Sequence, residues 1–288
     1  MARSSVKVLV VLSGIILLWF VLTALAVGFV AVDIRRTPES PVLKWAFVLI
    51  TSYTGPFGAF VYVLGCREPL PDLHARYVAT RWRQVLGSTM HCVAGDGVGI
   101  LVGAAIGSAL HLSASHHLAL EYILGFGFGW TIFQALFMRD MAGGSFSRSL
   151  RMTFIPEFLS MNALMAGMVP VMTLFMASVP GSESPRHASF WFVMSVALFA
   201  GGIIAYPMNW WLVVRHLKHG MMTVERPEVE HREVATAGGS DMEKMSHAAV
   251  TAAHADKPSP RTVAWMAAFS LALFAIGIVV SIMMTAAR

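Results

Sequence analysis

The sequence predicts an all-α bundle of about seven transmembrane helices, and three observations carry that prediction. The chain has 288 residues, of which 56% are hydrophobic and 13% charged, about half the charge of a soluble domain. Several apolar runs reach the length of about 20 residues that crosses a bilayer core. These runs are continuous rather than alternating, and backbone in lipid must be bonded internally, so helices are expected and a barrel is not.

The expected spans are Val8–Val32, Trp45–Gly65, Cys92–Leu112, Leu118–Met138, Thr153–Val179, Ser189–Val214 and Thr262–Met284. The first follows Arg3 and Lys7, and Ala24-Leu25-Ala26 resembles a cleavage site, but the run continues past it and reads as a retained anchor. The division along the chain is two helices in 1–65, a basic cytoplasmic connector in 66–90, a four-helix membrane domain in 91–219, a disordered cytoplasmic linker in 220–261, and a last helix in 262–288. Within the connector, Val78, Trp82, Val85 and Leu86 make an apolar stripe suited to an interfacial helix. Linker composition is polar and mixed in charge, with Gly238-Gly239-Ser240 and Pro258-Ser259-Pro260.

Most of the 21 Lys and Arg residues fall on one side if the N-terminus is inside, so the positive-inside rule favours N-in, C-out in a bacterial plasma membrane. Arg35, Arg36 and Lys44 fit poorly, because the 33–44 loop would lie outside. The net charge of +5 reflects this rule and anionic lipid, and no nucleic-acid motif is visible. The two cysteines, Cys66 and Cys92, fall near the cytoplasmic face, where thiols stay reduced.

The most distinctive segment carries Glu157, Met161, Met165, Met168, Met172 and Met176 on one helical face. Thioether sulfur is a soft ligand suited to Cu(I), and such a ladder would line a soft-metal path. Methionine is equally an ordinary filler of packed interiors. Met90, His91, Cys92 and Asp96 open the third expected span with metal-ligand chemistry, and a buried acid there marks function or a fixed partner. His116, His117 and Glu121 form a candidate outer site, for which interfacial, solvated histidines are the plainer account. Gly95, Gly99, Gly103 and Gly107 recur every fourth residue, a pattern for close helix packing. In the sixth expected span, Pro207 removes a backbone donor, Asn209 suits a hydrogen bond between helices, and Trp210 and Trp211 suit an interface anchor.

His91-Cys92-x-x-Gly95, Arg148-x-Leu150-Arg151 and Ala205-x-Pro207-x-Asn209-x-Trp211 together resemble a bacterial polytopic membrane family catalogued as a domain of unknown function. The resemblance covers about Trp82 to His219 and implies the four-helix membrane fold. Short members carry a second cysteine where this chain has Asp96 and acids where its fifth span has methionines. Longer relatives are loosely associated with copper oxidases, which implies copper as a cofactor or cargo. Phosphate-binding, zinc-protease and serine-nucleophile signatures are lacking, so an enzyme is not the favoured reading. Three functions stay open: a transporter or permease-like handler of a soft metal such as Cu(I); a non-transporting assembly or accessory protein, such as a partner of a copper enzyme; and a membrane redox protein. The expected partners are the lipid bilayer, a membrane or copper-enzyme partner, or a second copy of the chain in a homo-oligomer.

Overall fold

The computed structural model describes residues 2–67, 70, 73–139, 143–220 and 258–287. Every regular element among them is helical. The disordered-linker expectation for 220–261 falls almost entirely outside the described residues.

Helix α1 is Ala2–Asp33, followed by a single 3-10 turn. The expected span Trp45–Gly65 is not one straight helix. It divides into α2, Pro41–Thr54, and α3, Pro56–Gly65. The break has a local cause: Pro56 brings no N–H, and Gly55 adopts φ 61°, which an L side chain resists. The chain then folds back on itself. A Cβ at Gly58 would lie 2.6 Å from the Thr51 Cα, and the Phe47 and Tyr62 rings meet at 5.5 Å. The Tyr62 hydroxyl pairs with Thr37 at 3.1 Å and donates to Asp33 at 2.8 Å, both before α2 begins. The pair is thus a re-entrant helical hairpin that leaves and returns at the same end of the bundle. Re-entrant backbone is tolerated where protein surrounds it. Here Trp19 of α1 covers the tip, and the Tyr53 hydroxyl donates to the Val93 and Ala94 carbonyls of the next long helix.

A short helix α4, His74–Val78, leads into α5, Arg81–Ala109. Helix α6, Ala114–Phe137, contains a π-helical stretch at Gly129–Gln134. Helices α7, Phe146–Met176, and α8, Ala188–Val214, complete the central block, and α9, Pro260–Ala286, packs on α7. Among the described residues six helices are long and apolar enough to cross a membrane, the hairpin taking the place of a seventh.

Leu43, Gly87, Phe137, Met138 and Lys218 line one small cavity, so the hairpin base, the start of α5, the α6–α7 connection and the end of α8 share one end of the bundle. Ser113, Thr173, Ser281 and Thr285 line a groove at the other end. Trp19 of α1 meets Phe192 near the start of α8 at 5.6 Å, so α1 runs from that other end toward the hairpin base. The N-terminal end of α1 and the C-terminal end of α9 therefore lie at the same end, whereas seven straight spans put them at opposite ends. Arg35, Arg36 and Lys44 join the end that carries the other basic loops, which removes their misfit.

Glycine lets α6 lie close against α5. A Cβ at Gly99 would overlap the Leu124 carbonyl, one at Gly103 would come within 2.8 Å of the Glu121 backbone, and Gly95 and Gly107 receive the Phe133 and His117 rings. Asn162 ties three helices: the Tyr122 hydroxyl of α6 donates to it at 2.7 Å, and its amide donates to Ser270 of α9 at 3.1 Å.

Candidate functional site

Four polar side chains from four stretches of the chain converge inside the central block: Cys92 on α5, Gln134 on the π-helical part of α6, Glu157 on α7 and Lys218 just past α8. Cys92 Sγ donates to Glu157 Oε2 at 2.9 Å and accepts from the Gln134 amide at 2.9 Å. The Lys218 ammonium donates to the same sulfur and, at 2.9 Å, to Asn209 Oδ1. It stands 3.7 Å from Glu157 Oε2, with side-chain exposures of 4% for the lysine and 0% for the glutamate.

Each position has a local cause. Lys218 lies after the end of α8, where His216 adopts φ 54° and the Leu217 and Lys218 N–H groups both return to the Leu212 carbonyl. This reversal is a helix-capping turn, and it folds the lysine back into the bundle. Asn209 is fixed in turn, its amide donating to Ser160 Oγ at 2.9 Å and to the Ala205 carbonyl at 3.1 Å. π-Helical turns recur at functional sites because the extra residue re-aims side chains. In this chain the π segment brings Gln134 to the sulfur and sets Gly129 beside two carboxylates.

Asp96 lies one turn beyond Cys92 and is fully buried. A Cβ at Gly129 would overlap both Asp96 Oδ1 and Glu157 Oε1, so the two carboxyl groups face the same small space. Neither Asp96 oxygen has a protein hydrogen-bond partner, nor does Glu157 Oε1. Acidic side chains inside membrane spans are costly and mark function or a fixed partner.

The remaining expected site residues are placed as follows. His91 packs against the Phe133 and Phe137 rings at 5.7 and 4.8 Å, with Nε2 unpartnered. It borders a cavity of about 20 Å³ together with Gln134 and Lys218, room for about one water at the edge of the centre. Met90 points elsewhere, into an apolar cavity against the hairpin. Met161, Met165 and Met168 are fully buried in the hydrophobic core, while Met172 and Met176 are half-buried at its edge. Met161 packs toward Gly125 of α6 and Met168 toward Gly201 of α8, so the ladder is divided between neighbours. His117 Nε2 stands 3.5 Å from Glu121 Oε1, but His116 turns away to Ser113 at 2.7 Å. Trp211 packs against the core, and Pro207 lies inside α8 two residues before Asn209. Cys66 and Cys92 are both free thiols.

Lys218, Gln134, Gly129 and Ser160 were not singled out by the sequence. The only hint for Lys218 was a basic residue close behind a helix end.

Comparison with curated proteins and with solved structures returned no match. Residues 81–218, which span the four central helices and end on the buried lysine, match the family described as Domain of unknown function (DUF4396), the kind of family the motifs resembled.

Proposed function

We propose that the protein is a membrane transporter in which Lys218 and a substrate cation alternate at the Cys92–Glu157 centre. The observation that carries this reading is the position of the Lys218 ammonium. It rests on a sulfur, an amide oxygen and a carboxylate oxygen, a set of groups that would equally ligate a metal ion. Ionisable groups inside membrane spans are costly and mark ion pathways or proton relays. When the lysine leaves, Cys92 and Glu157 offer soft and hard donors to an incoming cation. Cu(I) displaces the thiol proton of Cys92 as it binds, and Asp96, sharing the space beside Gly129, accepts that proton and later returns it. Cu(I) is the cargo most consistent with the thiol and with the methionines of α7. The Met161–Met165–Met168 set packs the wall of the block and offers thioether ligands beyond the centre.

The test is Cu(I) uptake into proteoliposomes holding a pH dye. Uptake accompanied by a change of internal pH is expected. Cys92→Ser and Glu157→Gln are each expected to lower it at least tenfold, and Lys218→Ala to separate copper entry from proton movement. Uptake no faster than in protein-free liposomes would sink the reading. Loss in the Met161→Leu, Met165→Leu, Met168→Leu triple variant would add the ladder to the path.

A second reading, a membrane redox protein, is favoured by the contact of the Cys92 thiol with both an ammonium and a carboxylate. A visible absorbance band from a bound cofactor in the purified protein would favour it over transport.

A further inference from the structure

A separate cluster lies at the base of the hairpin, outside the four-helix block. Glu39 precedes α2, Cys66 follows α3 and His74 begins α4. One donor atom from each lies within 4.8 Å of the other two. All three residues are shielded, with exposures of 4%, 0% and 2%. His74 Nε2 is 2.8 Å from Glu39 Oε1. Glu39 Oε2 and His74 Nδ1 are buried without a protein partner. Unsatisfied buried polar atoms are costly, and here two of them occur on side chains gathered around a thiol.

We propose that Glu39, Cys66 and His74 bind a divalent transition-metal ion, Zn(II) by the chemistry of the donors. Thiolate, imidazole and carboxylate are its usual ligands, and three protein ligands leave a fourth position for water or another donor. Two ligands on a tetrahedral zinc stand about 3.3 Å apart, so the Glu39–His74 contact opens by about half an ångström as the ion replaces the shared proton. Burial holds both the Glu39 carboxyl and the Cys66 thiol above their ordinary values. The ion must displace those protons, so its affinity rises with pH. Bound there, it clamps both feet of the hairpin to α4.

The experiment uses the full chain purified in detergent with Zn(II) supplied, followed by removal of free metal and elemental analysis. About one zinc per chain is expected, kept in Cys92→Ser and at least tenfold lower in Cys66→Ser and His74→Ala. Co(II) in place of zinc is expected to give a thiolate charge-transfer band that Cys66→Ser lacks. A wild-type chain that retains no zinc overturns the proposal, as does zinc lost from Cys92→Ser but kept by Cys66→Ser. Should the variants fail to fold, the wild type still decides. Thiol labelling mapped to Cys66 is expected to run at least tenfold faster after a chelator than with zinc bound, and equal rates overturn the proposal.

Discussion

Lys218 is the residue on which the electrostatics of the centre turns. Its ammonium is the only cation in contact with Glu157 among the described residues. Removing one partner of a buried pair leaves an uncompensated charge, and such losses run to about 3–5 kcal/mol. Lys218→Met is therefore expected to lower the midpoint of thermal unfolding in detergent clearly. The double change Lys218→Met with Glu157→Gln is expected to recover a large part of it, because no charge is then left alone. Independent losses that simply add would show that the two groups are not coupled. The acidic half of this centre was legible in the sequence, since Asp96 and Glu157 interrupt apolar runs and such interruptions stand out. Its basic half was not. Lys218 enters the interior only because His216 turns the chain with a positive φ, and hydropathy carries no sign of that turn.

Helix surfaces set how close these groups come. At Gly99 an added methyl meets the Leu124 carbonyl, which is backbone and cannot rotate aside. Gly99→Ala is expected to cost about 1–3 kcal/mol through overpacking. Gly127→Ala, which meets nothing within 4 Å, is expected to leave stability almost unchanged. A comparison of the two unfolding curves checks the difference. Gly129→Ala would push a methyl between Asp96 and Glu157, and it is expected to abolish the coupling of proton and copper movement before it unfolds the protein. Spacing made the α5 glycines visible, because every fourth residue marks one face. The part played by Gly129 was hidden, because it depends on a π turn with no sequence period of its own. The methionines of α7 show the reverse. Their shared face was legible, yet whether that face lined a path or filled a wall depended on helices elsewhere in the chain.

For the molecule as a whole, hydropathy recovered the helical class and every long span but could not tell a hairpin from a crossing. Residues 45–65 are apolar enough for either, and the discriminating signal is the Gly55-Pro56 pair in the middle of the run. The structure puts the N-terminal end of α1 and the C-terminal end of α9 at one end, and the hairpin base and the α6–α7 connection at the other. Reporter fusions before α1 and after α9 are accordingly expected to give the same reading, and a cysteine label in the 139–145 connection the opposite one. Termini that read on opposite sides would exclude the hairpin arrangement.

The same hairpin bears on how the chain is made. Its tip is held by the Tyr53 hydroxyl, which donates to the Val93 carbonyl of α5, and by Phe57 stacked on Phe199 of α8 at 4.3 Å, and both α5 and α8 emerge from the ribosome after it. Until they arrive, only Trp19 and Thr23 of α1 cover the interrupted backbone around Gly55, and the tip rests at the aqueous edge rather than in lipid. Chains truncated after residue 80 are thus expected to be cut by protease near the hairpin, and chains extended through Lys218 to resist. In biosynthesis the hairpin would be among the first elements translated and among the last to take its seat.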